Sequence, residues 1–131
     1  MKILFVSTYD IAGGAARAAY RLLKGLKHLH VNSSMLVQFK DSHDSAVLGP
    51  SGIYALLIGG VKSKLDRMPL WLYPHRRTEF WSLQWLSNNI ARQIERLEPD
   101  IIHLHWFARG FVPIPAFPKL RQPIVWTMHD M

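Results

Sequence analysis

An α/β fold, built as a parallel sheet with helices on both faces, is predicted by two features of the sequence. Short apolar runs alternate with amphipathic stretches of helical period. The polar and glycine-rich segments fall just after the apolar runs, where such sheets bind ligands at the carboxyl ends of their strands. The chain has 131 residues, enough for one ordinary core, so a single domain spanning 1–131 is expected.

Each element follows from local pattern. Ile3–Ser7 is a short apolar run of the kind that forms a buried parallel strand. It stops at Thr8-Tyr9-Asp10, and Gly13-Gly14 marks a turn. From Ala15 the period becomes helical: Ala16, Ala19, Tyr20, Leu23, Leu26 and His30 share a face, with Arg17, Arg21, Lys24 and Lys27 opposite. Ser34–Phe39 reads as a second strand and Lys40–Gly49 as a polar loop. Ile53–Arg67 is helical in pattern, and Pro69 and Pro74 break the next stretch. Leu83–Leu97 is a further amphipathic helix, ending before Pro99. Ile101–Trp106 and Pro123–Met128 are strands, separated by a proline-rich loop over Phe107–Pro118. The sheet pattern calls for a helix and another strand after His129-Asp130.

Composition narrows the function classes. Nearly half the residues are hydrophobic, 49%, and 19% are charged, the balance of a soluble globular protein. The longest apolar candidate, Ile53–Val61, falls short of the roughly 18 residues that a membrane span needs. No signal-peptide pattern accompanies the first strand, so a cytoplasmic location is expected. With no cysteine there is neither a disulfide framework nor thiolate chemistry. The net charge of +7 favours phosphate-bearing ligands, nucleic acid or an anionic membrane face. No nucleic-acid recognition motif frames the cations, and nucleic acid is not an expected partner. Between Lys62 and Arg77, five cations interleave with Trp71, Leu72 and Tyr73 against the single acid Asp66. That pattern suits a peripheral membrane contact at the inner face, and equally a solvated surface run with inward aromatics.

Three motifs end the strands. Tyr9-Asp10-Ile11-Ala12-Gly13-Gly14, followed by Arg17, lets backbone N–H groups meet an anion at a helix start. It lacks the glycine spacing of a dinucleotide fingerprint, so NAD is not expected. His103-Leu104-His105-Trp106 places two imidazoles on one strand face. With His129-Asp130 they admit a metal site, but no further ligand cluster accompanies them. His103 reads as the deeper, structural member and His105 as the ligand contact. Trp126-Thr127-Met128-His129-Asp130 puts a histidine just past the last strand, where it can bond a sugar hydroxyl or a phosphate oxygen.

Taken together, MKILFVSTYDIAGGAARAAYR (Met1–Arg21), PDIIHLHW (Pro99–Trp106) and PIVWTMHDM (Pro123–Met131), with LWLYPHRR (Leu70–Arg77) between, resemble one family. It is the N-terminal domain of the retaining family 4 glycosyltransferases of fold type B, in a subgroup of bacterial cell-surface polysaccharide biosynthesis. The resemblance implies two facing Rossmann-like domains: the first holds the acceptor, a glycan or a lipid-linked sugar, and the second binds a nucleotide-sugar donor (a UDP- or GDP-sugar). It implies that Gly13 and Gly14 approach the donor diphosphate or acceptor, and that His129 contacts the donor sugar as the residue that matters for catalysis. It further implies that His105 and Trp106 line the acceptor site, with Tyr9, Asp10 and Arg17 beside the glycines. No tightly bound cofactor or metal is implied.

The family's donor-binding domain, with basic residues for the diphosphate and paired glutamates, has no counterpart in these residues. Without it the leaving diphosphate lacks most of its electrostatic stabilisation. The expectation is therefore a truncated domain or one half of a split enzyme, inactive in transfer without a separate C-terminal domain chain. The alternative is a basic, membrane-associated module that binds an acceptor or phosphate-bearing ligand without catalysis.

Overall fold

The computed structural model describes residues 1–73 and 81–129 of the chain. Pro74–Arg77 of the basic stretch, Asp130 and Met131 lie outside those residues. Strand β1 (Lys2–Tyr9) runs through the centre of the sheet with Leu4, Phe5 and Val6 fully buried. It is followed by helix α1 (Gly14–His28) and strand β2 (Asn32–Phe39). Then come the two-residue strand β3 (Val47–Leu48), helix α2 (Gly52–Arg67) and a 3-10 turn over Met68–Leu72. Helix α3 (Ile90–Arg96), strand β4 (Ile101–Leu104), a second 3-10 turn (Ile114–Lys119) and strand β5 (Ile124–Trp126) complete the described elements.

The sheet is parallel throughout, in the order β3-β2-β1-β4-β5. The chain moves outward from β1 to β3, then crosses back to lay β4 on the other side of β1, with Val6 opposite Leu104. This reversal between β1 and β4 is a topological switch point. It opens a crevice beyond the carboxyl ends of those two strands.

Alternation along the strands splits the core into two layers. On one face Phe5, Met35, Val37 and Val47 pack under Ala19 and Leu23 of α1. On the other, Leu4, Val6, Leu36, Ile102 and Leu104 pack under Ile90 and Ile94 of α3 and the segment around Phe111 and Val112. Helices therefore cover both faces, which makes this the α/β, Rossmann-like class that the alternation predicts. Truncating a fully buried side chain such as Leu23 to alanine costs about 2–5 kcal/mol.

Four elements differ from the sequence reading. β3 lies inside the expected polar loop, where Val47 is buried and pairs with Met35. His30 is exposed beyond the end of α1, at φ 56°, rather than on its apolar face. The proline-rich loop after β4 contains a 3-10 turn, begun at Pro113. The helix expected from Leu83 begins only at Ile90, whose N–H donates to Asn88 Oδ1 at 3.0 Å. Upstream, Gln84 has φ 54° and is tied to Asp66, so residues 82–84 are held out of a helix.

Candidate functional site

The β1–α1 connection forms one wall of the crevice. Gly13 has φ 91°, a backbone state that side chains with a Cβ rarely adopt, and it opens α1 with no side-chain cap. Gly14 needs no such freedom, and a Cβ at either position would meet nothing within 4 Å. The helix start, without a side-chain cap and carrying the positive end of its dipole, thus borders open space. A cavity of about 290 Å³ lies there, lined by Tyr9, Gly13, Gly14 and Trp106 among others.

Two residues flanking the glycines serve the loop itself. Arg17 donates from Nε to the Ile11 carbonyl at 3.2 Å. Asp10 is fully buried, and its carboxylate accepts backbone N–H groups from Ile11, Asp41 and Ser42 at 2.8–3.1 Å. Burial pushes its pKa up, but the hydrogen bonds from Ser42, Asp41 and Ile11 outweigh burial and hold the carboxyl below its ordinary range. Asp10 is therefore a clamp between the loops after β1 and β2, not an exposed ligand contact. Tyr9 stacks on Phe39 at 5.0 Å and faces Trp106 at 6.2 Å, with the Arg109 guanidinium 5.6 Å from its ring centre.

The second wall carries the histidines. His103 is the more accessible of the strand pair, and its Nε2 lies 2.8 Å from Thr127 Oγ1. His105 is the buried member, 2% exposed, which reverses the expected depths of the two. Shared strand parity puts both rings on one face, but depth is set by cover: Phe5 and His129 flank the His105 ring at 5.6 and 5.2 Å. His105 Nδ1 is 2.9 Å from His129 Nε2, and one nitrogen of that pair donates to the other. Burial first, then the neighbouring charges of His103 and His129, pushes His105 down to about 4. It is a neutral imidazole at physiological pH, and it orients His129. No hydrogen bond among the described residues is made to Nδ1 of His129. Among the described residues, no three His, Asp or Glu side chains converge on a point that could hold a metal.

His105 and His129 border a cavity of about 260 Å³ together with Trp106, Trp126 and Gln84. Trp106 lines this cavity and the glycine-side cavity alike, so the two walls belong to one crevice at the switch point. A family model, Glycosyltransferase Family 4, matches residues 12–131. The chain belongs to glycosyltransferase family 4. In this glycosyltransferase family 4 domain the matched stretch takes in Gly13, Gly14, Arg17, His105, Trp106 and His129, and starts after Tyr9 and Asp10. Neither the curated proteins nor the solved structures gave a significant match.

Sequence reading missed the residues that hold the crevice from behind. Asp66 of α2 is fully buried and accepts from Ser82 Oγ, Leu83 N and Gln84 N at 2.6–3.1 Å. Ser82 Oγ in turn accepts the Arg109 N–H at 2.8 Å, and Gln84 Nε2 donates to the Phe107 carbonyl at 2.7 Å. Thr127 ties β5 to β4 through His103. A signal for Asp66 exists in its spacing: Gly59, Ser63 and Asp66 recur at i, i+4 and i+7 and form a small-polar stripe in an apolar helix.

Proposed function

We propose that this family 4 domain is the acceptor side of a retaining glycosyltransferase. The enzyme would move a sugar from a UDP- or GDP-sugar to a glycan or lipid-linked acceptor, working with a second, nucleotide-binding domain. The observation that supports this reading best is the convergence at the switch point of an uncapped glycine helix start and the His105–His129 pair, joined by Trp106. The helix start offers amides and a positive dipole end to phosphate oxygens. His129, held through Nε2, presents Nδ1 to a sugar hydroxyl, as donor or acceptor according to the tautomer of the pair. Trp106 supplies a flat apolar face of the kind on which a sugar ring rests.

Among the described residues, no Lys or Arg lines either of the two cavities, whose charge stabilisation for a departing diphosphate is limited to the helix start. Transfer therefore depends on cations brought by the partner domain. The test combines binding and turnover. Amide and indole resonances of the labelled chain are followed while UDP-sugars, GDP-sugars and oligosaccharide acceptors are added, and transfer is then assayed with a family 4 donor domain supplied in trans. Shifts at Gly13, Gly14, Trp106 and His129, and transfer lowered at least tenfold by His129→Ala, are expected. Absence of any shift, with no transfer from a folded complex, would defeat the reading.

A further inference from the structure

Helix α2 is inverted relative to an ordinary surface helix. Its inward line is Gly59, Ser63 and Asp66: Gly59 sits against the Phe39 ring, Ser63 Oγ donates to the Arg109 carbonyl at 3.5 Å, and Asp66 is spent on residues 82–84. Its outward surface is apolar, with Ile53, Leu56, Leu57, Ile58 and Val61 each more than half exposed. The following 3-10 turn continues this surface with Trp71 at 74% and Leu72 at 88% exposed, and Tyr73 lies next to them. A soluble surface helix buries its apolar side, so a contiguous apolar face turned outward marks a docking surface.

The charges on this surface select the occupant. Lys64 and Arg67 are exposed near the end of α2, and Lys62 is half-buried one turn earlier. From Ser45 to Tyr73 the single carboxylate is Asp66, which is turned inward and fully buried, so the exposed face carries cations and no acid. Ser63, Lys64, Arg67 and Arg109 line a cavity of about 180 Å³ on the flank of this face. Apolar side chains with interleaved cations, and Trp and Tyr at one end, are the chemistry of a helix lying in the headgroup layer of a bilayer. At 16 residues it is a surface helix, since no helix among the described residues is long and apolar enough to cross a membrane.

We propose that α2 and the turn after it dock this domain on an anionic phospholipid surface. The apolar face enters the headgroup boundary, and Lys64 and Arg67 pair with lipid phosphates beside the small basic cavity. The sequence reading centred such a contact on Lys62–Arg77. The structure moves its apolar part upstream to Ile53–Val61. The proposal does not rest on sugar transfer and stands or fails apart from it.

Flotation of the full chain with vesicles of pure phosphatidylcholine, and of phosphatidylcholine with phosphatidylglycerol, tests it. Binding to the anionic vesicles that falls with added salt is expected. Lys64→Gln with Arg67→Gln should weaken it by about 25-fold, at roughly fivefold per cation removed. Leu56→Asp with Leu57→Asp should abolish it. Because these four side chains point outward, the variants keep their circular dichroism and melting temperature. The proposal is overturned by absence of binding to anionic vesicles, or by equal binding to both vesicle types. It is also overturned if sedimentation shows a dimer that only the Leu56→Asp, Leu57→Asp variant dissociates, for then a second copy of the chain covers the face.

Discussion

Acidification singles out His105. Its burial against Phe5 and His129 holds the folded-state pKa at about 4, whereas in the unfolded chain it returns to about 6.5. Between those values the unfolded state binds a proton that the folded state refuses, so stability is full above pH 6.5 and is lost as the pH falls toward 4. The displacement is worth about 3 kcal/mol in full and about 2 kcal/mol by pH 4.5. Asp44, held at about 2 chiefly by the Ala46 N–H and by Lys24, loses its contribution only below the ordinary aspartate value of 3.8. The two effects therefore occupy separate pH windows. His103 is also pushed down, by burial and by His129, and adds in the same direction as His105. Urea unfolding at intervals from pH 7.5 to 4.5, on the native chain and on His105→Gln, is the assay. The native curve should fall steeply through the His105 window and the variant curve should be shallower by about 2 kcal/mol. Parallel curves would refute the reasoning, because His105 would then not be the buried neutral imidazole of the pair.

The two glycines after β1 should separate backbone strain from ligand approach. Gly13→Ala forces a side chain into φ 91° and should cost about 1–3 kcal/mol in denaturant unfolding, while Gly14→Ala should leave stability within about 0.5 kcal/mol. Both should weaken donor or acceptor binding by calorimetry, since the added methyl of each projects into open space. Asp66→Ala strips the acceptor from Ser82, Leu83 and Gln84 and should cost about 3 kcal/mol, with faster amide exchange at Leu83 and Gln84. Gly59→Ala would drive a Cβ into the Phe39 ring, which stacks on Tyr9. About 1–3 kcal/mol of overpacking strain and a shifted Tyr9 ring resonance are expected, and an unmoved Tyr9 would argue against coupling between α2 and the crevice.

The sheet was legible because its strands read as short apolar runs, and the central β1 does so through burial on both faces. Ile3 to Ser7 and Ile101 to Leu104 are the clearest cases. α1 was legible for the opposite reason, its cations and apolar residues falling on separate faces. β3 was not, since two residues beside Gly49-Pro50 carry no periodicity. The false start of α3 at Leu83 arose from a local pattern that a distant side chain overrides: Asp66 captures residues 82–84 in a conformation with Gln84 at φ 54°. At the site, period-two logic correctly put His103 and His105 on one face. Their relative burial depended on Phe5 and on His129, 24 residues further along the chain, and no local window contains that. Asp10 misled for a related reason, because a carboxylate beside a glycine turn looks the same in sequence whether it faces a ligand or a neighbouring loop.

Trp106 is the shared wall of the two cavities, and this gives the crevice the layout of two chambers with one partition. The backbone that carries this indole is pinned to β1, the Trp106 carbonyl accepting the Thr8 N–H at 2.7 Å. Removing the indole would leave this backbone bond in place and fuse the chambers into one longer trough. The division of the crevice is thereby separable from the fold, because it rests on one side chain and not on a strand.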